Sequence, residues 1–171
     1  MNSVPIRELF VPIGRRRPGN KLDNFRGVVI HNVGNHSKGA GADNNARYQQ
    51  STPDYETNRG TTSSWHNTVD EKEIVVSIPW DEVAYHCGNS RGNKNTVAIE
   101  IADNADGNLL KATDNAAWLA ALILRQRGFT KASEEDESLT QHNHWSGKNC
   151  PEEIRAGRPY DWETFKAKVN A

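Results

Sequence analysis

Val97-Ala98-Ile99-Glu100-Ile101-Ala102 is the stretch from which the architecture can be read. Successive side chains of a strand point to opposite faces, so Val97, Ile99 and Ile101 share one side while Ala98, Glu100 and Ala102 share the other. One face suits a core. The other holds a carboxylate between small neighbours, with room above it. On the residues alone, Glu100 reads either as a solvent-facing glutamate on a half-exposed strand or as a group lining a site. Similar short β-branched runs, bounded by Gly, Pro, Asn or Asp, lie at Val28 to Ile30, Thr68 to Val69 and Ile74 to Ile78. They read as further strands of the same sheet.

Helical patterns alternate with these runs. Ala116 to Leu124 is apolar all the way round, with Asp114 or Thr113 as cap and Gly128 as stop, which predicts a buried helix packed on the sheet. Trp162, Phe165 and Val169 recur at helical spacing behind Asp161, giving a C-terminal helix with one apolar stripe. Asp43 to Gln50 is a weaker helical segment, and Ser51 to Ser64, rich in Thr, Ser, Asn and Gly, is a loop fit to border a cleft. The alternation argues for an α/β fold, with connections too varied for a doubly wound sheet. At 171 residues the chain fits one compact domain, residues 1–171.

The 21 basic and 22 acidic residues leave a formal charge of −1, so there is no strong field to draw nucleic acid or an anionic membrane. The opening Met1-Asn2-Ser3-Val4-Pro5 has no apolar run of signal-peptide length, and no segment approaches the ~18 apolar residues of a membrane span. The expectation is a soluble chain made in the cytosol. Arg15-Arg16-Arg17 forms a basic turn and Ser133 to Ser138 an acidic loop, both read as solvated surface, with an anionic polymer an alternative contact for the first. Cys87 and Cys150 do not make a disulfide framework in a chain of this size, so both are expected reduced, with Cys87 a small buried thiol.

The chemistry concentrates in His142-Asn143-His144-Trp145-Ser146-Gly147-Lys148-Asn149-Cys150-Pro151. Here a loop with a glycine inside and a proline at its end brings an imidazole and a thiol within reach of one zinc ion. A catalytic zinc takes three protein ligands and leaves one position open, so a third donor must come from elsewhere. His31, which ends the apolar run Gly27-Val28-Val29-Ile30, is the best candidate. Taken alone, it reads as a hydrogen-bonded histidine at the edge of the core. His144 is an alternative: were His142 to His144 extended, both rings would face the same way.

Five blocks in order now carry a family resemblance. They are Val29-Ile30-His31-Asn32, Trp65-His66-Asn67-Thr68-Val69-Asp70, Ile78-Pro79-Trp80, Val97-Ala98-Ile99-Glu100-Ile101 and Trp145 to Pro151. The chain resembles the zinc-dependent N-acetylmuramoyl-L-alanine amidases found in bacteriophage endolysins and related to the peptidoglycan recognition proteins. The resemblance implies a central mixed sheet flanked by helices, with zinc at the base of a groove. It implies one zinc per chain held by His31, His142 and Cys150, with Glu100 and Lys148 catalytic: Glu100 as general base, Lys148 as the cation facing an oxyanion. It departs from the family pattern at His144, which is taken as a group orienting a ligand. Asn32, His66, Trp80 and His86 are expected to line the substrate groove, although each histidine also reads as a structural one and Trp80 as a cap on the core.

The implied function is hydrolysis of the amide between N-acetylmuramic acid and L-alanine in cell-wall peptidoglycan, by a monomer that needs neither nucleic acid nor membrane insertion. A chain with no signal peptide fits an endolysin released at lysis. Two rivals are a cysteine-dependent peptidoglycan hydrolase using Cys87 with a distant imidazole, and a peptidoglycan-binding module without catalysis. The complete set of His31, His142, Cys150, Glu100 and Lys148 argues against the second.

Overall fold

The computed structural model describes residues 4–51 and 62–171, so most of the loop expected to border a cleft lies outside the described residues. Six strands form one mixed sheet: β1 (Ile6–Glu8), β2 (Gly27–Asn32), β3 (Asn67–Val69), β4 (Ile74–Val76), β5 (Thr96–Ile101) and β6 (Leu139–Gln141), in the order β1-β4-β3-β5-β2-β6. Only β3 and β4 pair antiparallel. They are joined by the short turn at Asp70, whose carboxylate accepts from the backbone N–H of Lys72 and Glu73 at 2.7 and 2.9 Å. The other pairs are parallel, as expected of strands joined by long crossovers.

The two central strands, β2 and β5, are the longest, and their register puts Val28 beside Val97, Ile30 beside Ile99 and His31 beside Glu100. The alternation read from the sequence holds. Val28, Ile30, Val97, Ile99, Ile101 and Leu139 join one core with α3 (Leu109–Gln126) and α6 (Trp162–Val169). Phe165 of α6 is wholly buried there and stacks on Trp162, with centroids 5.4 Å apart. The opposite face carries α1 (Ala42–Ser51), whose Ala42 and Ala46 pack on Val75, and a smaller cluster of Val29, Cys87 and Trp145. The candidate site lies on this second face.

Several expectations need correction. β1 and β6 were not foreseen, because Ile6-Arg7-Glu8 and Leu139-Thr140-Gln141 lack the consecutive β-branched residues that marked the equally short β3 and β4. The run Ile74 to Ile78 leaves the ladder after Val76. The cap of α3 is Asn108, whose side chain accepts from Lys111 N, and not Asp114 or Thr113. That helix is not buried all round, since Trp118 and Leu122 form a half-buried outer stripe. The two charged loops are not simply solvated either. Arg16 is 5% exposed, and Arg17 pairs with buried Glu82 at 2.7 Å. Glu137 of the acidic loop is bonded to Arg26, Arg91 and His144.

Candidate metal centre

Because β2, β5 and β6 run parallel, their C-terminal ends emerge at one edge of the sheet. Gln141 stands beside Ile30, so the next residue, His142, opens α4 (His142–Ser146) next to His31. The two Nδ1 atoms are 3.0 Å apart. The chain then turns at Gly147, whose φ of +74° is a left-handed conformation that a glycine adopts without steric cost, and returns to set Cys150 Sγ 3.8 Å from His31 Nδ1. All three donor atoms lie within 4.8 Å of one another and all three residues are buried. The fold thus joins the three expected ligands from two segments, β2 and the loop from His142 to Cys150.

The donor set fits zinc. Donors about 2.0–2.3 Å from one zinc ion stand about 3.3–3.6 Å apart at tetrahedral angles, against 3.0 and 3.8 Å for the two pairs here. Burial holds both histidines neutral: His142 falls to about 4, and His31 lies well below its ordinary value, aided by its histidine neighbours and Lys148. Neutral imidazole is the form that donates to a metal. Burial, with the Glu100 carboxylate adding to it, pushes the Cys150 thiol up to about 12, so the thiolate forms only where a strong local cation offsets that burial.

Glu100 Oε1 is 3.8 Å from His31 Nδ1, and its Oε2 is buried without a hydrogen-bond partner. Burial raises this carboxyl to about 8, with Asp103 adding to the rise and Lys148 opposing it. Lys148 is exposed, yet its charge reaches His31, Glu100, His142 and Cys150. The edge therefore assembles three donors, one carboxyl with a free oxygen and one exposed cation. Such a set is able to bind a metal, shuttle a proton and face a developing negative charge.

The remaining expected residues divide. Asn32 is at the site: its Oδ1 accepts from Glu153 N at 3.1 Å, and its Nδ2 is buried without a partner. His86 is there too, but behind the triad. It is 8% exposed, with Nδ1 3.2 Å from His31 Nε2 and Nε2 3.4 Å from Thr96 Oγ1. His66 is wholly buried and spends both ring nitrogens on the backbone, one on Glu82 O and one on Ala98 N, so it cross-links the core and lines no groove. Trp80 donates to Asn67 Oδ1 at 2.7 Å and borders a 320 Å³ groove beside β1. Among the described residues it shares no hydrogen bond or ring contact with the triad.

His144 corrects its expectation. It sits on a helix and not on an extended segment, so about 200° of helical turn separates it from His142, and it reaches Glu137 at 3.5 Å instead. It orients no ligand. The cysteine-dependent rival also fails on geometry: Cys87 is 0% exposed, burial raises its thiol to about 11, and its Sγ is bonded to Asn93 Oδ1 at 3.2 Å. A thiol so placed is neither ionised nor accessible. Asn93 and Thr96, which brace His86, escaped sequence reading because ordinary polar residues carry no periodic signal. A second group, His36, Glu152 and Glu153, also lies within metal-binding reach, but both Glu153 oxygens are taken by Arg158.

Comparison with known proteins places the chain among cell-wall amidases. The N-acetylmuramoyl-L-alanine amidase family profile matches residues 21–153. The chain is 37% identical over 97% of its length to N-acetylmuramoyl-L-alanine amidase XlyA of Bacillus subtilis (strain 168). It is 34% identical over 88% of its length to N-acetylmuramoyl-L-alanine amidase CwlH of the same organism. It spans 51% and 57% of those relatives, about half the length of each. The solved catalytic domain of XlyA superposes with a TM-score of 0.81, covering 97% of this chain and 99% of that one.

Proposed function

The chain belongs to the N-acetylmuramoyl-L-alanine amidase family, and from that premise we propose that it hydrolyses the amide between N-acetylmuramic acid and the L-alanine of the peptidoglycan stem peptide. The observation that carries this reading is the convergence of His31 Nδ1, His142 Nδ1 and Cys150 Sγ beside the unpartnered oxygen of Glu100. We read the three donors as ligands of one zinc ion per chain. When bound there, zinc supplies a Lewis acid and makes water acidic enough to attack near neutral pH.

The chain's own residues supply the rest. Glu100 receives the proton of the attacking water on its carboxylate and delivers it to the departing amine of L-alanine. Lys148, on the exposed rim, carries the charge that faces the carbonyl oxygen as it becomes an oxyanion. Asn32, with a free buried N–H on the same edge, faces the same substrate.

Residues 1–171 act in this reading as one catalytic domain, a monomer whose partner is the bacterial wall and which reaches it after release at lysis, as an endolysin does. No helix of the described residues is long and apolar enough to cross a membrane. The test is mass spectrometry of the products from purified peptidoglycan, with and without a chelator. Free L-alanine amino termini and intact lactyl groups, both lost on chelation, are expected. Cleavage elsewhere in the stem, or full activity without metal, would overturn the reading.

A further inference from the structure

We propose that His86 is a positioning residue that fixes the tautomer of His31, turning its Nδ1 lone pair toward the metal position. The proposal rests on the reading of His31, His142 and Cys150 as ligands.

Thr96 Oγ1 donates to Gly92 O at 2.8 Å. A hydroxyl has one proton, so toward His86 Nε2, 3.4 Å away, Thr96 Oγ1 acts as an acceptor and His86 must carry its proton on Nε2. A neutral imidazole then has a bare Nδ1. That Nδ1 lies 3.2 Å from His31 Nε2, which is therefore the donor, and His31 in turn is left with a bare Nδ1. The proton positions thus propagate from Gly92 through Thr96 and His86 to His31, each step forced by the one before.

The bare His31 Nδ1 lies 3.0 Å from His142 Nδ1 and 3.8 Å from Cys150 Sγ, so its lone pair is turned to the position that the three donors share. The His86–Cys87 dipeptide is itself pinned: Asn93 Oδ1 accepts from the backbone N–H of both residues at 3.0 Å. Gly92 lies so close that a Cβ there would meet Cys87 Sγ at 2.4 Å. The helix α2 (Ser90–Asn95) therefore fixes His86, and His86 fixes the tautomer of His31.

Groups that orient metal-bound histidines typically contribute about 10–100-fold in metal affinity. The test measures zinc affinity by competition with a chelator in the wild type, His86→Phe, His86→Gln and His31→Ala, with a thermal melt of each. His86→Phe keeps the ring but removes the acceptor, and an affinity loss of about 10–100-fold is expected. His86→Gln offers an amide oxygen to His31 Nε2 and is expected to recover most of it. Long-range 1H–15N spectra of the zinc-loaded wild type should show His86 protonated on Nε2, a state that mere packing does not dictate. Wild-type affinity in a folded His86→Phe, or a His86 protonated on Nδ1, overturns the proposal and leaves the ligand reading intact. Failure of the wild type to bind zinc, or wild-type affinity in His31→Ala, overturns the ligand reading and the proposal with it.

Discussion

The backbone N–H of Asn143 donates to the carbonyl of Cys150 at 3.0 Å, closing the neck of the loop that carries two of the three donors. The Asn143 side chain adds a bond to Lys148 O at 2.9 Å. The spacing of His142 and Cys150 is therefore set by the main chain, independently of any ion.

This makes Cys150→Ala a clean probe. The loop should keep its shape while one donor vanishes, so zinc content and turnover are expected to fall together with little change in the thermal midpoint. Elemental analysis beside a melting curve checks it. Full zinc occupancy in this variant would put the third donor elsewhere.

Glu100→Gln is nearly isosteric but accepts no proton. Turnover is expected to fall by about 10²–10⁴-fold, the usual contribution of a positioned general base, with zinc content and wall binding unchanged. Clearing of wall suspensions together with zinc stoichiometry reads both. Undiminished clearing would make Glu100 a bystander.

Cys87→Ser should retain most activity, since a hydroxyl can still donate to Asn93 Oδ1 from the same buried position. Iodoacetamide should leave the folded protein active. Loss of turnover in Cys87→Ser with zinc and fold intact would reopen the thiol mechanism.

His66 gives a pH dependence whose sign follows from its burial, which lowers it to about 4 from an ordinary 6.5. Below pH ~6.5 the unfolded chain gains a proton that the folded chain refuses. Stability is thus full above that point and declines as the pH falls toward the folded value. Between pH 7 and 5 the wild type should lose up to about 2 kcal/mol more than His66→Gln, because one pH unit corresponds to about 1.4 kcal/mol per proton. Urea unfolding at the two pH values measures it, and equal losses would mean that His66 is not the responsible group.

Phe165→Ala tests the far side of the sheet. Emptying a wholly buried aromatic position should cost about 3–5 kcal/mol without altering the donor set. A drop in zinc affinity at temperatures where the variant is folded would contradict the separation of the two faces.

The parts of this molecule legible in the sequence were those with a long enough period. β5 announced its two faces because six residues alternate, and Trp162, Phe165 and Val169 announced α6 because their spacing spans two turns. The three-residue β1 and β6 offered no such repeat, nor the consecutive β-branched residues that marked β3 and β4. The five-residue α4 was hidden for the same reason, and with it the direction of His144. The donors were found by chemistry and resemblance. Their braces were not, because Thr96 and Asn93 look like any polar loop residues until the fold brings them against His86. The Arg17–Glu82 pair, separated by 65 positions, was similarly invisible.

The pairing of Glu100 with His31 across β2 and β5 gives the central strand a reading frame. Side chains there alternate strictly, so one residue inserted or deleted ahead of Glu100 would swing the carboxylate into the layer beneath α3 and swing an isoleucine out beneath the metal. A slip of that kind leaves composition and hydrophobicity almost untouched while exchanging the floor of the site for its foundation. β5 is thus free to drift by replacement but not by change of length, and natural or engineered variation in length has to be absorbed by the loops.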